Sequence, residues 1–217
     1  EHDIAIIEMG ANQPGDIQEL CEIASPTHGI ITNIGKAHLE GFGNLEGVVQ
    51  TKSALYRSVR KQNGVIFFNQ EDLLLKSLLD DSTENISFGK ANANITGQII
   101  ELTPYIHMCW QSSSYRSENI NTSMVGTYNF YNFLAAISIG SYFGVKEIDI
   151  SDAVATYKPE NKRSQVLETQ KNTLIIDCYN ANPTSMLLAL ESFRDFRNNK
   201  KLAIIGDMLE LGVRRVT

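Results

Sequence analysis

Short apolar runs alternate with amphipathic helical segments along this chain, and that alternation restricts its fold more than any other feature. An apolar run at residues 3–10 is followed by a helical pattern over 15–24 and by a second apolar run at 28–34. A strand, a helix and a strand in that order form a parallel unit, with the functional loops at the carboxyl ends of the strands. The pattern therefore predicts an α/β fold built on a parallel sheet.

Later segments extend this prediction into a second domain. A helix is predicted at 47–61 and a strand at 65–69, while short β-branched and aromatic runs between 85 and 125 indicate an antiparallel appendage. Beyond it we predict helices at 127–143 and 150–157, a strand at 173–178, a helix at 183–197 and a strand at 201–206. The polar segment 158–163 contains a proline and is the predicted domain linker.

The composition argues against several classes of partner and site. The formal net charge of -6 and the pI near 5.3 argue against nucleic acid or anionic lipid as the main partner, because both select basic surfaces. Cys21, Cys109 and Cys178 lack CxxC spacing, so neither a disulfide framework nor a zinc site is indicated. No apolar run approaches the roughly 20 residues that span a bilayer. We expect a globular protein of the cytoplasm.

Lys52 is the most informative candidate residue because it lies on an apolar helix face. Val48, Tyr56 and Val59 fall on the same side of the predicted helix, where lysine is rare. Either the stem packs there while the ammonium reaches water, or burial lowers the pKa of the amine and leaves a neutral nucleophile. Such an amine can take up carbon dioxide and become a carbamate, an anionic oxygen ligand suited to magnesium.

Glu8 and His38 each follow an apolar run. Glu8 lies near the end of the first predicted strand, where a carboxylate either faces solvent or has to be paired or bound to a metal. His38 lies just past the second predicted strand, where it is either a metal or catalytic residue or an ordinary loop histidine. The residues alone leave both pairs of alternatives open.

Amide and carboxylate side chains form a second group of candidates. Asn129 and Asn132 lie one helical turn apart; a carboxamide can bond an adenine edge in two places, although helix capping also explains Asn129. Asp177 lies at the carboxyl end of a predicted strand, where doubly wound folds bind ligands. Asn182 precedes Pro183 and is equally well explained as a helix cap and as a ligand contact.

Together these segments resemble the Mur ligase family, the ATP-dependent peptide ligases of bacterial cell-wall synthesis. The matching positions are 8–12, 32–38, 41–43, Lys52, 126–132 and Arg163. Two further segments, 177–183 and 206–212, look like the branch that adds D-alanyl-D-alanine. Three residues depart from the family pattern: Gln13 and Tyr128 replace its usual histidines, and Ala54 replaces a glutamate.

The resemblance implies a role for each candidate residue. Magnesium would be held by Glu8, His38 and the carbamylated Lys52, of which Lys52 and His38 would also be catalytic. Asn129 and Asn132 would contact adenine, Arg163 the ATP phosphates and Asp177 the ribose, while Asn180 and Asn182 are candidate substrate contacts. The implied cofactors are thus ATP and Mg²⁺.

The reaction implied by the resemblance is amide-bond formation in peptidoglycan precursor synthesis. ATP would phosphorylate the carboxylate of a UDP-N-acetylmuramoyl-tripeptide, and the amine of D-alanyl-D-alanine would then attack the acyl phosphate. The expected enzyme is a monomer without nucleic-acid or membrane partners. The alternatives are another Mur-type or folylpolyglutamate-type amide ligase with a different amine, and a non-catalytic nucleotide-binding domain.

The resemblance also implies a domain organisation. Residues 1–160 would form the central ATP-binding domain without its N-terminal phosphate loop, since no G-x-x-x-x-G-K-[ST] motif occurs in the chain. Residues 161–217 would begin a Rossmann-like C-terminal ligase domain. We therefore expect this chain to be an internal piece of a longer ligase and to be inactive alone.

Overall fold

The fold mixes helices and strands throughout. A computed structural model describes residues 2–35, 39–102, 104–160, 162–196 and 200–208, and at residues 39 and 40 it describes the backbone only. The helices are α1 (Asp16–Ala24), α2 (Leu39–Phe42), α3 (Leu45–Lys52), α4 (Ala54–Lys61), α5 (Leu73–Ser77), α6 (Tyr128–Tyr142), α7 (Glu147–Thr156) and α8 (Pro183–Asp195). The strands are β1 (His28–Ile30), β2 (Val65–Asn69), β3 (Glu84–Gly89), β4 (Ile95–Leu102), β5 (Tyr105–Gln111), β6 (Ile120–Val125), β7 (Gln165–Glu168) and β8 (Thr173–Ile176). The predicted α/β class is confirmed.

The strands form two sheets. The larger sheet follows chain order, β1-β2-β3-β4-β5-β6. Pairing is parallel between β1 and β2 and between β3 and β4, and it is antiparallel from β4 through β5 to β6. The remaining strands, β7 and β8, form a separate antiparallel pair. Both the parallel sheet and the antiparallel appendage predicted between residues 85 and 125 are therefore present.

The described residues divide into two compact units. The first contains residues up to 68 together with 72–86, and the second contains 69–71 and the residues from 87 onward. Compactness alone defines these units, so the predicted domain boundary between residues 160 and 161 stays a prediction. Across the described ranges, no helix is long and apolar enough to cross a membrane.

The first unit is built by helices packed over β1 and β2. Gly15 adopts φ 96° immediately before α1, a backbone conformation that glycine reaches without steric cost. A Cβ at Gly29 in β1 would lie 3.0 Å from Val59 of α4, so the helix packs directly on the strand. The predicted helix over 47–61 is interrupted at Ser53 and forms α3 and α4. The core cluster of the first unit comprises Ile31, Tyr56, Val59, Ile66 and Leu75.

The second unit is held together by α6 packing on β4. A Cβ at Gly97 would lie 2.6 Å from Leu134 and 3.2 Å from Phe130, so this strand position admits the helix only because it has no side chain. Trp110 of β5 is 1% exposed, and its indole N–H donates to Ser151 of α7 at 3.1 Å. The first contact places α6 against β4, and the second joins α7 to β5.

Two strands predicted from apolar runs are absent from the described structure. Residues 3–10 form no strand, and Ile6 is 93% exposed. Residues 201–206 also form none, and Ile204 is 92% exposed. A buried strand needs hydrogen-bonded neighbours, and the described ranges place no strand beside either segment. Both strand predictions are therefore wrong for this chain as it is described.

Smaller differences follow from local chemistry. α7 begins at Glu147, earlier than the predicted residue 150, because Glu147 and Asp149 suit the positive amino end of a helix. The short helices α2 and α5 and the strand β7 were not predicted; β7 has four residues and none of them is buried. The last predicted helix ends at Asp195, and residue 197 lies outside the described ranges.

Candidate functional site

Lys52 lies at the carboxyl end of α3 and points toward the loop after β1. Its ammonium donates to the backbone carbonyl of Asn33 at 2.8 Å. Val48 and Tyr56 on the same helical face are 1% and 0% exposed, which confirms the predicted apolar face. The Lys52 side chain is half-buried, and burial lowers the pKa of its amine. Lys52 is thus closer to the neutral, nucleophilic form than a surface lysine at the same pH.

The first unit also brings two other family-like segments into contact with each other. A Cβ at Gly41 would overlap the backbone carbonyl of Asn12, so the segments 8–12 and 41–43 lie in direct contact. Asp16 accepts hydrogen bonds from the backbone N–H groups of Asn12 at 2.8 Å and Gln13 at 3.0 Å. Both hydrogen bonds hold the pKa of the Asp16 carboxyl below its ordinary value, and the bond from Asn12 has the larger effect.

The predicted magnesium ligands are only partly described. Glu8 is exposed, next to Met9, which packs against the buried cluster around Cys21; His38 lies outside the described residues. Across the described part of the chain, no group of three His, Cys, Asp or Glu side chains could hold a metal ion. A protonated Lys52 repels a cation, whereas a carbamate there supplies oxygen donors. With Glu8, the donor chemistry fits magnesium only after carbamylation.

In the second unit, the two predicted adenine contacts bond to each other. The Asn132 amide donates to Oδ1 of Asn129 at 3.0 Å. The Asn129 amide donates to the Val125 carbonyl at 2.7 Å and to the Ser164 hydroxyl at 3.3 Å. Asn129 is 5% exposed, whereas Asn132 is exposed. Asn129 is therefore engaged within the protein, and Asn132 has the more accessible amide.

Tyr128 connects this asparagine pair to Asp177. Its hydroxyl lies 2.5 Å from the hydroxyl of Ser164 and donates to Oδ2 of Asp177 at 3.2 Å. Burial, together with the Asp177 carboxylate, raises the pKa of Tyr128 to about 12, so the phenol stays protonated at neutral pH. Sequence reasoning identified Tyr128 only as a departure from the family and missed Ser164 altogether.

Arg163 lies in the same region of the second unit. Its guanidinium lies over the ring of Tyr179, 4.0 Å from the ring centroid. The backbone carbonyl of Lys162 accepts from the N–H of Cys178 at 3.0 Å. Lys162 and Ser164, on either side of Arg163, adopt φ 58° and 51°, a costly left-handed conformation for residues other than glycine. The predicted linker is thus attached to the segment that follows β8.

The two candidate substrate contacts are engaged with nearby backbone. Asn182 caps α8: its Oδ1 accepts from the N–H of Ser185 at 2.9 Å, and Pro183 occupies the first helical turn. Asn180 Oδ1 accepts from the N–H of Ala181 at 2.8 Å. The capping explanation of Asn182 is confirmed. A substrate contact by either residue stays a prediction.

Comparisons with known proteins match most of the chain to two domain families. The Mur ligase middle domain family matches residues 1–140, and the Mur ligase, glutamate ligase domain family matches residues 162–216. A UDP-N-acetylmuramoyl-tripeptide–D-alanyl-D-alanine ligase of Bacillus subtilis strain 168 is 30% identical over 97% of this chain and 46% of its own length. The corresponding ligase of Buchnera aphidicola subsp. Baizongia pistaciae is 32% identical over the same shares.

Solved structures show the same likeness. A crystal structure of MurF ligase from Thermotoga maritima in complex with ADP has a TM-score of 0.83 and 26% identity, covering 95% of this chain and 48% of that one. This chain spans about half the length of the curated relatives that it matches. The middle-domain match alone covers more than half of the chain, so the chain belongs to the Mur ligase family.

Proposed function

We propose that this chain supplies part of the ATP-dependent ligase that joins D-alanyl-D-alanine to UDP-N-acetylmuramoyl-tripeptide. The observation that carries the proposal is the half-buried Lys52, whose amine pKa is lowered and whose Nζ lies against the loop after β1. Such a lysine is unusual on a helix face and suits carbamate formation. The two curated relatives described above have this reaction in their names.

The reaction proceeds in two displacements. A carboxylate oxygen of the tripeptide attacks the γ-phosphorus of ATP and ADP leaves, which gives an acyl phosphate. The D-alanyl-D-alanine nitrogen then attacks the acyl carbon, phosphate leaves, and the nitrogen loses a proton as the amide forms. Each displacement concentrates negative charge on phosphate oxygens, so catalysis requires charge neutralisation and positioning.

The residues of this chain contribute to both requirements. Glu8, His38 and a carbamylated Lys52 would hold magnesium, which offsets the charge that grows between the carboxylate and the γ-phosphate. For the nucleotide, Asn132 offers the exposed amide to adenine while the buried Asn129 orients it. Asp177 would accept ribose hydroxyls.

Arg163 is the residue assigned to the phosphates in this proposal. Its guanidinium lies over the ring of Tyr179, 4.0 Å from the ring centroid, and such a cation–π contact leaves N–H groups able to donate to phosphate oxygens. Guanidinium groups bind phosphate in a bidentate fashion. Tyr179 therefore limits the orientations of Arg163 before the nucleotide arrives.

The test uses the complete polypeptide, meaning this chain joined to the segments that complete the length of its relatives. With ATP, Mg²⁺ and both substrates, we expect Lys52→Ala to abolish phosphate release, and a short free carboxylate to restore part of it. Lys61→Ala changes an exposed lysine on α4 and should leave turnover unchanged.

Unchanged turnover in Lys52→Ala would contradict the proposal. The 217-residue chain alone is expected to release no phosphate from ATP in the presence of both substrates, because it contains no phosphate-loop motif. Substrate-dependent phosphate release by this chain would overturn that expectation.

A further inference from the structure

Tyr128 and Ser164 join most of the candidate nucleotide contacts into one directed series of hydrogen bonds. Asn132 donates to Asn129, and Asn129 donates to Ser164. Because the Tyr128 proton is directed to Asp177, the short contact between the two hydroxyls requires Ser164 to donate to Tyr128. The series therefore ends on the Asp177 carboxylate. Every link lies within the second unit.

The backbone around Tyr128 is arranged so that its ring can reach this position. Gly126 adopts φ 87°, and a Cβ there would lie 2.5 Å from the Tyr128 ring. The ring therefore folds back across a residue that has no side chain. The positive φ of Gly126 and its lack of a Cβ together keep the Tyr128 hydroxyl directed at Ser164 and Asp177.

Ser164 is the second constrained element. It is 2% exposed and adopts φ 51°. A non-glycine residue persists in the left-handed region only where its surroundings hold it there, and such residues cluster at ligand sites. The contacts that hold Ser164 come from Tyr128 and Asn129, which precede it by 36 and 35 residues.

We propose that Tyr128 is a positioning residue of the nucleotide site, which uses its hydroxyl to orient the Asp177 carboxylate toward the ribose hydroxyls. The inference rests on the proposed function, since it requires an adenine nucleotide at Asp177. Tyr128 itself need not touch the nucleotide. Its donation occupies Oδ2 and restricts rotation of the carboxylate, which leaves Oδ1 oriented toward a ligand hydroxyl.

This role makes a prediction that a purely structural role does not. Tyr128→Phe removes one hydroxyl and keeps the ring against Gly126, so the effect should depend on the sugar of the ligand. We expect the complete polypeptide carrying Tyr128→Phe to bind ATP more weakly by on the order of tenfold, the value of the ribose hydroxyl–carboxylate hydrogen bond that a misoriented Asp177 would no longer make. Binding of 2′,3′-dideoxy-ATP, which lacks both ribose hydroxyls, should be unchanged.

Isothermal titration calorimetry of both nucleotides with wild type and variant gives the comparison. Ser164→Ala, which interrupts the series one step earlier, serves as the second variant and should reduce the preference for ATP over the dideoxy analogue in the same direction. It also keeps the test decisive if Tyr128→Phe fails to fold. Lys158→Ala, at an exposed position outside the hydrogen-bond series, is the control and should bind both nucleotides as wild type does.

The possible outcomes separate this inference from the function on which it rests. If both variants weaken the binding of both nucleotides equally, the positioning role is overturned and the proposed function stays intact. The same conclusion follows if wild type prefers ATP and neither variant weakens the binding of either nucleotide. Failure of wild type to bind ATP would overturn the proposed function, and the inference with it. Selective loss of ATP binding supports both.

Discussion

Different kinds of contact organise the first unit, which contains Lys52, and the Asp177 region of the second unit. In the first unit, the backbone at Gly41 lies directly against the backbone at Asn12, and Lys52 donates to a backbone carbonyl. Around Asp177, side chains of α6 and of Ser164, which follows the predicted linker, bond to one another and end on the carboxylate. The first arrangement should tolerate no added atom, and the second should be sensitive to the loss of a single hydroxyl.

Gly41→Ala tests the first half of this comparison and should have the largest effect on stability. The new methyl would overlap the Asn12 carbonyl, which is backbone and cannot move aside as a flexible side chain can. We expect the free energy of unfolding to fall by about 2–3 kcal/mol, measured by denaturant titration of the chain.

Gly10→Ala is the matched control, because nothing lies within 4 Å of a Cβ at that position. Its free energy of unfolding should stay close to that of wild type. Equal stability of Gly41→Ala and Gly10→Ala would show that the backbone contact between Gly41 and Asn12 does not organise the first unit.

Gly97→Ala tests the second half and should have a smaller effect. Its methyl would meet the flexible end of Leu134 at 2.6 Å and the Phe130 ring at 3.2 Å, so Leu134 has to adopt another rotamer or α6 has to shift slightly away from β4. We expect a loss of about 1–2 kcal/mol in the free energy of unfolding. Because α6 carries Tyr128, nucleotide binding by the complete polypeptide should weaken as well.

Gly140→Ala on the same helix is the control for Gly97→Ala. Its Cβ would lie 3.4 Å from Ile150, an ordinary contact, and alanine is a better helix former than glycine by about 1 kcal/mol. This variant should match or exceed the stability of wild type. If Gly97→Ala behaves in the same way, the close packing of α6 on β4 does not position the nucleotide contacts.

The sequence predicted features that depend on local pattern. The periodicity of apolar residues placed Lys52 on a buried helical face, and the structure confirms it. The antiparallel strands β4 and β5 lie within the region 85–125, where short β-branched and aromatic runs predicted them. The capping of α8 by Asn182 was visible from the proline that follows it.

The sequence did not predict features that depend on distant partners. The series through Ser164 joins residues 36 and 49 positions apart and requires a left-handed serine, which no local pattern indicates. The runs at 3–10 and 201–206 were predicted as strands because apolar periodicity reports what a segment can bury. It does not report whether neighbouring strands are present to pair with it.

The chemistry of Lys52 is the central claim, and detection of its carbamate tests it most directly. Burial lowers the pKa of this amine, so the neutral form that reacts with carbon dioxide becomes available at a lower pH than for exposed lysines. In ¹³C-bicarbonate near neutral pH, we predict a protein carbamate resonance, distinct from that of the α-amine, that is absent from Lys52→Arg and disappears on acidification. An identical resonance in Lys52→Arg, or none in wild type, would contradict the claim.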